Sequence, residues 1–105
     1  MLRMREWQKL NAKIGGFTQI FRSKRNPNRY LVTDGDGVKV WKEEGEPDMG
    51  AIVTASPNTD PDKWRVEELF SGGRFQHDRG KVGKTKYRIG CTIIDLKLAH
   101  KIMKM

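Results

Sequence analysis

The chain has 105 residues, of which 36% are hydrophobic and 32% are charged, and its formal net charge at pH 7 is +8. This length predicts one domain, residues 1–105, with a single modest core, and nine aromatic residues argue against intrinsic disorder. No apolar run approaches the roughly 18 residues of a membrane span, the first residues are too polar for a secretory signal, and the single cysteine cannot close an intramolecular disulfide, so we expect a cytoplasmic protein without membrane contact.

The N-terminal segment predicts a helix. Within residues 2–14, apolar residues recur at spacings that are typical of one helical face, and the pair Gly15-Gly16 would end the helix. These residues are Leu2, Trp7, Leu10 and Ile14.

A strand and a hairpin are predicted next. Residues 17–23 alternate in the manner of a strand, and we interpret Phe17 and Phe21 as core residues rather than as a base-stacking pair. The runs Arg29–Thr33 and Val38–Lys42 flank an Asp-Gly-Asp-Gly sequence. β-prone runs around Asp-Gly predict a hairpin.

The middle of the chain predicts a short strand at residues 51–55 and then a short helix. The pair Asp60-Pro61 is a typical helix start, and Gly72-Gly73 would end the helix. A strand is the alternative, because apolar and polar side chains also alternate there. That strand would run through Trp64, Val66 and Glu68.

The last third predicts a basic hairpin, a strand and a terminal helix. Residues 74–86 are rich in bases and glycine and predict a flexible loop or hairpin tip. Tyr87–Ile94 predicts one strand, with Cys91 as an inert core thiol. Asp95 would cap a helix over Leu96–Met105 with His100 on its surface, and a continued strand is the alternative.

These elements together predict an α+β fold. It would contain a mostly antiparallel sheet of four to five strands, an N-terminal helix and one or two short helices.

The charges are sorted by position along the chain. Residues 1–32 sum to +7, residues 33–69 to −6 and residues 70–105 to +7. If the two basic ends fold together, they form one positive face, and such a face attracts phosphate backbones. We therefore predict a non-enzymatic protein that binds DNA or RNA.

The predicted nucleic-acid contacts are cations that cluster in loops, together with aromatic residues that would stack on bases. The cations are Arg22, Lys24, Arg25, Arg29, Arg74, Arg79, Lys81, Lys84, Lys86 and Arg88, and the aromatic residues are Tyr30 and Tyr87.

No motif predicts a cofactor or a metal. The run Asp78–Thr85 ends in Gly-Lys-Thr like a phosphate-binding loop, but Asp78 stands where that loop needs its first glycine. Asp34 and Asp36 are spaced as in a calcium loop, but Val32 would occupy its first ligand position. A basic hairpin and a turn explain these residues without a ligand.

Two alternative functions stay open. In the first, the chain is a viral or mobile-element accessory protein that inhibits a host nucleic-acid-processing or defence complex, because its acidic stretch would occupy a cationic channel of the partner. That stretch contains Asp34, Asp36, Glu43, Glu44, Glu46 and Asp48. In the second, the chain is a ribonuclease-like toxin that uses His77, which lies between Arg74 and Arg79, as an acid or base.

Overall fold

A five-stranded antiparallel sheet forms the larger part of the fold. The computed structural model describes residues 3–10, 18–34, 49–70 and 78–104. The strands lie side by side in chain order. They are β1 (Trp7–Lys9), β2 (Thr18–Ser23), β3 (Arg29–Asp34), β4 (Gly50–Thr54) and β5 (Arg65–Phe70).

The central strands of this sheet are buried on both faces. Four consecutive residues of β3, Tyr30 to Thr33, are buried, and so are Gly50 to Val53 of β4. Because successive side chains of a strand point to opposite faces, such runs require cover on both sides. One face contributes Trp7, Phe21, Leu31 and Ile52 to a small cluster of its own.

The other face of the sheet is covered by a second layer, which we call the C-terminal layer (residues 78–104). It contains a three-stranded antiparallel sheet and a helix. Its elements are β6 (Arg79–Lys81), β7 (Lys86–Ile89), β8 (Thr92–Asp95) and α1 (Leu96–Lys104). Ile89, Ile94, Leu96, Ala99 and Ile102 of this layer share the main core with Ile20, Tyr30, Val32, Ala51 and Val53 of the large sheet.

The terminal helix is confirmed. The Asp95 carboxylate accepts a hydrogen bond from the backbone N–H of Lys97 at 2.9 Å, which is the geometry of an N-cap. Leu96, Ala99 and Ile102 form the buried stripe of the helix. No helix of the described residues is long and apolar enough to cross a membrane.

The predicted N-terminal helix is wrong. Met4–Glu6 forms a single 3-10 turn, and Trp7–Lys9 is a strand that pairs with β2. Trp7 lies opposite Ser23 and is buried in the small cluster. Pairing with a distant strand outweighs the weak local preference for a helix.

The predicted helix after Asp60 is also wrong, and its strand alternative is confirmed. Pro61–Lys63 is one 3-10 turn, after which Arg65–Phe70 forms β5 along β4. The pairing covers the outer edge of β4, and it half-buries Val66 and Leu69 against the main core. The strand satisfies backbone groups of β4 that a helix would leave unpaired.

The predicted strand Tyr87–Ile94 is two strands. Gly90 and Cys91 form a two-residue turn between β7 and β8, and Gly90 has a φ of +61°. Glycine first with a positive φ is the pattern of a type II′ hairpin turn. Cys91 is consequently exposed, so its assignment as a core thiol is wrong.

The strand at Arg29–Thr33 and the apolar strand at residues 51–55 are confirmed as β3 and β4. The predicted pairing of the first with Val38–Lys42 is wrong over Tyr30–Val32, because β2 and β4 occupy both edges of β3 there. Residues 38–42 themselves lie outside the described residues, as do Gly15, Gly16 and Phe17.

Candidate nucleic-acid interface

The C-terminal layer is strongly basic. It contains eight Lys or Arg and two Asp, for a formal charge of +6. All eight basic side chains are exposed. By comparison, residues 49–70, which include β4 and β5, sum to −2. Residues 3–10 and 18–34 sum to +5, so the described structure has two basic parts, and the C-terminal layer is the more basic of them.

The helix of this layer has a row of lysines, which we call the lysine face of α1. It consists of Lys97, Lys101 and Lys104, all exposed. At 3.6 residues per turn, these three positions fall within an arc of about 60°, opposite the buried stripe. The helix contains no acidic residue, so no carboxylate on α1 itself neutralises the row.

The hairpin β6–β7 holds the other five bases of the layer. It confirms the predicted hairpin from residue 79 onward, whereas residues 74–77 lie outside the described residues. Lys84 lies 3.4 Å from an Asp62 carboxylate oxygen, and Arg88 lies 3.1 Å from Asp78. Arg79 donates a hydrogen bond of 2.8 Å to the backbone oxygen of Leu69 and so ties the hairpin to β5. Lys81 and Lys86 are exposed, and Lys86 lies opposite Asp95 on β8.

The predicted contacts around the β2–β3 turn are only in part available to a ligand. Arg25 lies 3.3 Å from the Glu6 carboxylate, and Arg29 lies 3.2 Å from Glu67. Lys24 is exposed. Exposed ion pairs contribute only about 0–1 kcal/mol of stability each, but each one offsets positive charge that a phosphate would otherwise meet.

The pairing of Arg29 with Glu67 depends on an irregularity of the sheet. Ile52 pairs with Glu68 and Val53 with Val66, so Glu67 is an extra residue in β5. A bulge redirects a side chain, and here the Glu67 carboxylate reaches Arg29. The Arg29 guanidinium also lies 5.7 Å from the centroid of the Trp7 ring, so this cation is held in place by two neighbours.

Tyr30 is not a base-stacking residue, and its prediction as one is wrong. Its side chain is only 1% exposed and belongs to the main core. Arg22 lies opposite Tyr30 across the β2–β3 ladder, and its guanidinium is 5.5 Å from the ring centroid. Arg22 is half-buried, and its Nε makes no hydrogen bond in the described structure. Its guanidinium is held against the Tyr30 ring.

Tyr87 also packs inward, because it is half-buried against the main core. It lies opposite Ile94 on β8 and Lys81 on β6. Its ring is therefore shared between the core and the surface.

His100 is half-buried rather than a surface residue, so that expectation is wrong. Its Nε2 lies 2.6 Å from the backbone oxygen of Pro57. Its ring packs edge-on against Trp64, with 5.6 Å between the centroids. These contacts fix α1 to the loop that follows β4.

Some predicted residues lie outside the described part of the chain. They are Arg74 and His77 together with the side chain of Asp34 and the residues Asp36, Glu43, Glu44, Glu46 and Asp48. The acidic partner site and the ribonuclease alternative stay predictions for that reason. Within residues 3–10, 18–34, 49–70 and 78–104, no three His, Cys, Asp or Glu side chains converge as a metal site.

Sequence reasoning missed the lysine face of α1. The signal was present, because Lys97, Lys101 and Lys104 follow the spacing i, i+4, i+7 of one helical face. The predicted contacts lie in loops and hairpins, so these three helix positions are not among them.

No protein-family model matches the chain, and comparisons with curated proteins and with solved structures give no significant match.

Proposed function

We propose that this protein is a small, non-enzymatic, cytoplasmic nucleic-acid-binding protein whose principal contact surface is the C-terminal layer. The observation behind the proposal is the formal charge of +6 on that layer, with all eight of its bases exposed. Lys and Arg on one surface attract the phosphate backbone and release its counterions.

The proposal gives the predicted contact residues unequal roles. The N- and C-terminal thirds are adjacent, because α1 packs on β2 and β8 on β3. Yet Arg22 is half-buried, and Arg25 and Arg29 contact carboxylates. Lys84 and Arg88 of the C-terminal layer contact carboxylates as well. We therefore assign these five arginines and lysines a supporting role, keep the exposed Lys24 as a contact, and assign the main role to the lysine face of α1 with Lys81 and Lys86.

The salt dependence of binding tests the proposal. If about six phosphates are contacted on duplex DNA, the logarithm of the association constant should fall with the logarithm of salt concentration with a slope near −5. Fluorescence anisotropy with a labelled duplex of about 24 base pairs at several salt concentrations measures the slope. A slope near zero would overturn the proposal.

A second measurement tests the proposal that the protein is not a nuclease. Labelled RNA and DNA incubated with the purified protein should remain full-length on a denaturing gel. Cleavage that is lost on His77→Ala substitution would instead support the ribonuclease alternative.

A further inference from the structure

The lysine face of α1 is a row of cations of one chemical kind. Lysine binds phosphate as a point charge, whereas Arg, Asn and Gln supply the paired, planar contacts that often read bases. A row of three lysines is thus suited to backbone contact without reading of sequence.

The length of the row matches a short stretch of a duplex strand. With a rise of 1.5 Å per residue, Lys97 and Lys104 are separated by about 10 Å along the helix axis. A duplex offers one phosphate per 3.4 Å of axis on each strand. Because each strand also winds about that axis, a helix that lies along the backbone of one strand can bring its three lysines to neighbouring phosphates.

The helix that carries the row is anchored to the rest of the fold. Asp95 caps the helix, and the Leu96 N–H donates to the backbone oxygen of Thr85 at 2.9 Å. Further along, the His100 contact with Pro57 fixes the helix to the neighbouring loop. The three lysines therefore extend from one anchored surface, and their flexible side chains can adjust to the phosphates of a stiff duplex.

The burial of the described aromatic residues also favours a duplex over a single strand. Single-strand binding depends on base stacking against accessible aromatic rings. Trp7, Phe21, Tyr30 and Trp64 are all buried and Tyr87 is half-buried, so four of these five rings are committed to packing.

We infer that the lysine face of α1 is the main contact for double-stranded nucleic acid, held through its phosphates independently of base sequence. This inference rests on the proposed function and names its partner class and its central element.

The test compares two triple variants with equal loss of charge. The first replaces the lysine face with glutamine (Lys97→Gln, Lys101→Gln, Lys104→Gln). The matched control replaces three exposed cations outside the C-terminal layer (Lys9→Gln, Lys63→Gln, Arg65→Gln). Anisotropy titrations use a mixed-sequence duplex of 24 base pairs, a second duplex of scrambled sequence and the corresponding single strand.

The wild type should bind both duplexes equally, and more tightly than the single strand. The first variant should reduce the magnitude of the salt slope by about 2.5 to 3, since each lost phosphate contact removes about 0.9. The control variant should keep the wild-type slope. A further variant with arginine at the three α1 positions should restore it, and unchanged circular dichroism spectra should show that all variants fold.

Other outcomes contradict either the inference or the proposed function. If the glutamine variant of α1 keeps the wild-type slope, or if the single strand or one duplex sequence is preferred tenfold, the inference is overturned while the proposed function stands. If the wild type itself shows no salt-dependent binding, the proposed function fails first.

Discussion

Among single residues, Leu31 best shows that the large sheet has a second core. It is fully buried, with Trp7, Phe21 and Ile52, on the face away from the C-terminal layer. Leu31→Ala would leave a cavity there, so we expect the free energy of unfolding to fall by about 2–5 kcal/mol. Urea titration measures this change.

Glu68→Ala is the matched control, because Glu68 lies opposite Ile52 in the pairing of β4 with β5 but is exposed. It should change the free energy of unfolding by about 0.5 kcal/mol or less. Equal effects of the two substitutions would contradict a second core. The assignment of Phe21 to a core, made from alternation alone, is confirmed by the same cluster.

At the scale of elements, the turn between β7 and β8 depends on one glycine. Gly90 has a left-handed φ of +61°, which costs an L-residue with a side chain roughly 1–2 kcal/mol. We expect Gly90→Ala to lower the free energy of unfolding by at least that amount in a urea titration, because this hairpin joins the main core through Ile89 and Ile94.

Gly83→Ala supplies the comparison within the same layer. A Cβ at Gly83 would meet the Lys86 side chain at 3.6 Å, an ordinary contact, and its φ is not left-handed. The substitution should be neutral or slightly stabilising, since it reduces the entropy of the unfolded chain. Were Gly83→Ala as harmful as Gly90→Ala, backbone conformation would not explain the turn.

An element that depends on neighbouring residues was predicted correctly, whereas one that depends on a distant strand was not. The helix α1 was predictable because Asp95 caps it directly and its buried stripe lies within nine residues. The strand β1 was not, since Trp7 gains its place by pairing with Ser23, sixteen positions away. The presence of Gly90 within Tyr87–Ile94 was a signal for two strands, because glycine interrupts regular structure.

The same distinction applies to the candidate site. Basic residues can be read from the sequence, but their neutralisation by Glu6, Glu67, Asp62 and Asp78 depends on tertiary contacts. The burial of Tyr30 likewise follows from its central strand rather than from its basic neighbours.

For the whole molecule, binding of a polyanion should appear as stabilisation. With a net charge of +8, the protein is self-repelling at low ionic strength. Duplex DNA at about 100 times its dissociation constant should add roughly 2.7 kcal/mol, which corresponds to a rise in Tm on the order of 10 °C for a chain of this size. Differential scanning fluorimetry in about 20 mM salt measures the rise.

Neutral dextran at the same mass concentration should leave Tm unchanged, and about 1 M salt should abolish the effect of DNA because the counterions compete. A rise that persists in high salt would indicate a contact that is not electrostatic.

The turn at Gly90-Cys91 has a practical consequence. Since the chain has one cysteine and that side chain is exposed, a maleimide dye will attach at a single known point without mutagenesis. The label would sit at the end of a hairpin in the layer assigned to ligand contact, where its emission can report complex formation directly. Storage without a reductant would join two copies at that same point.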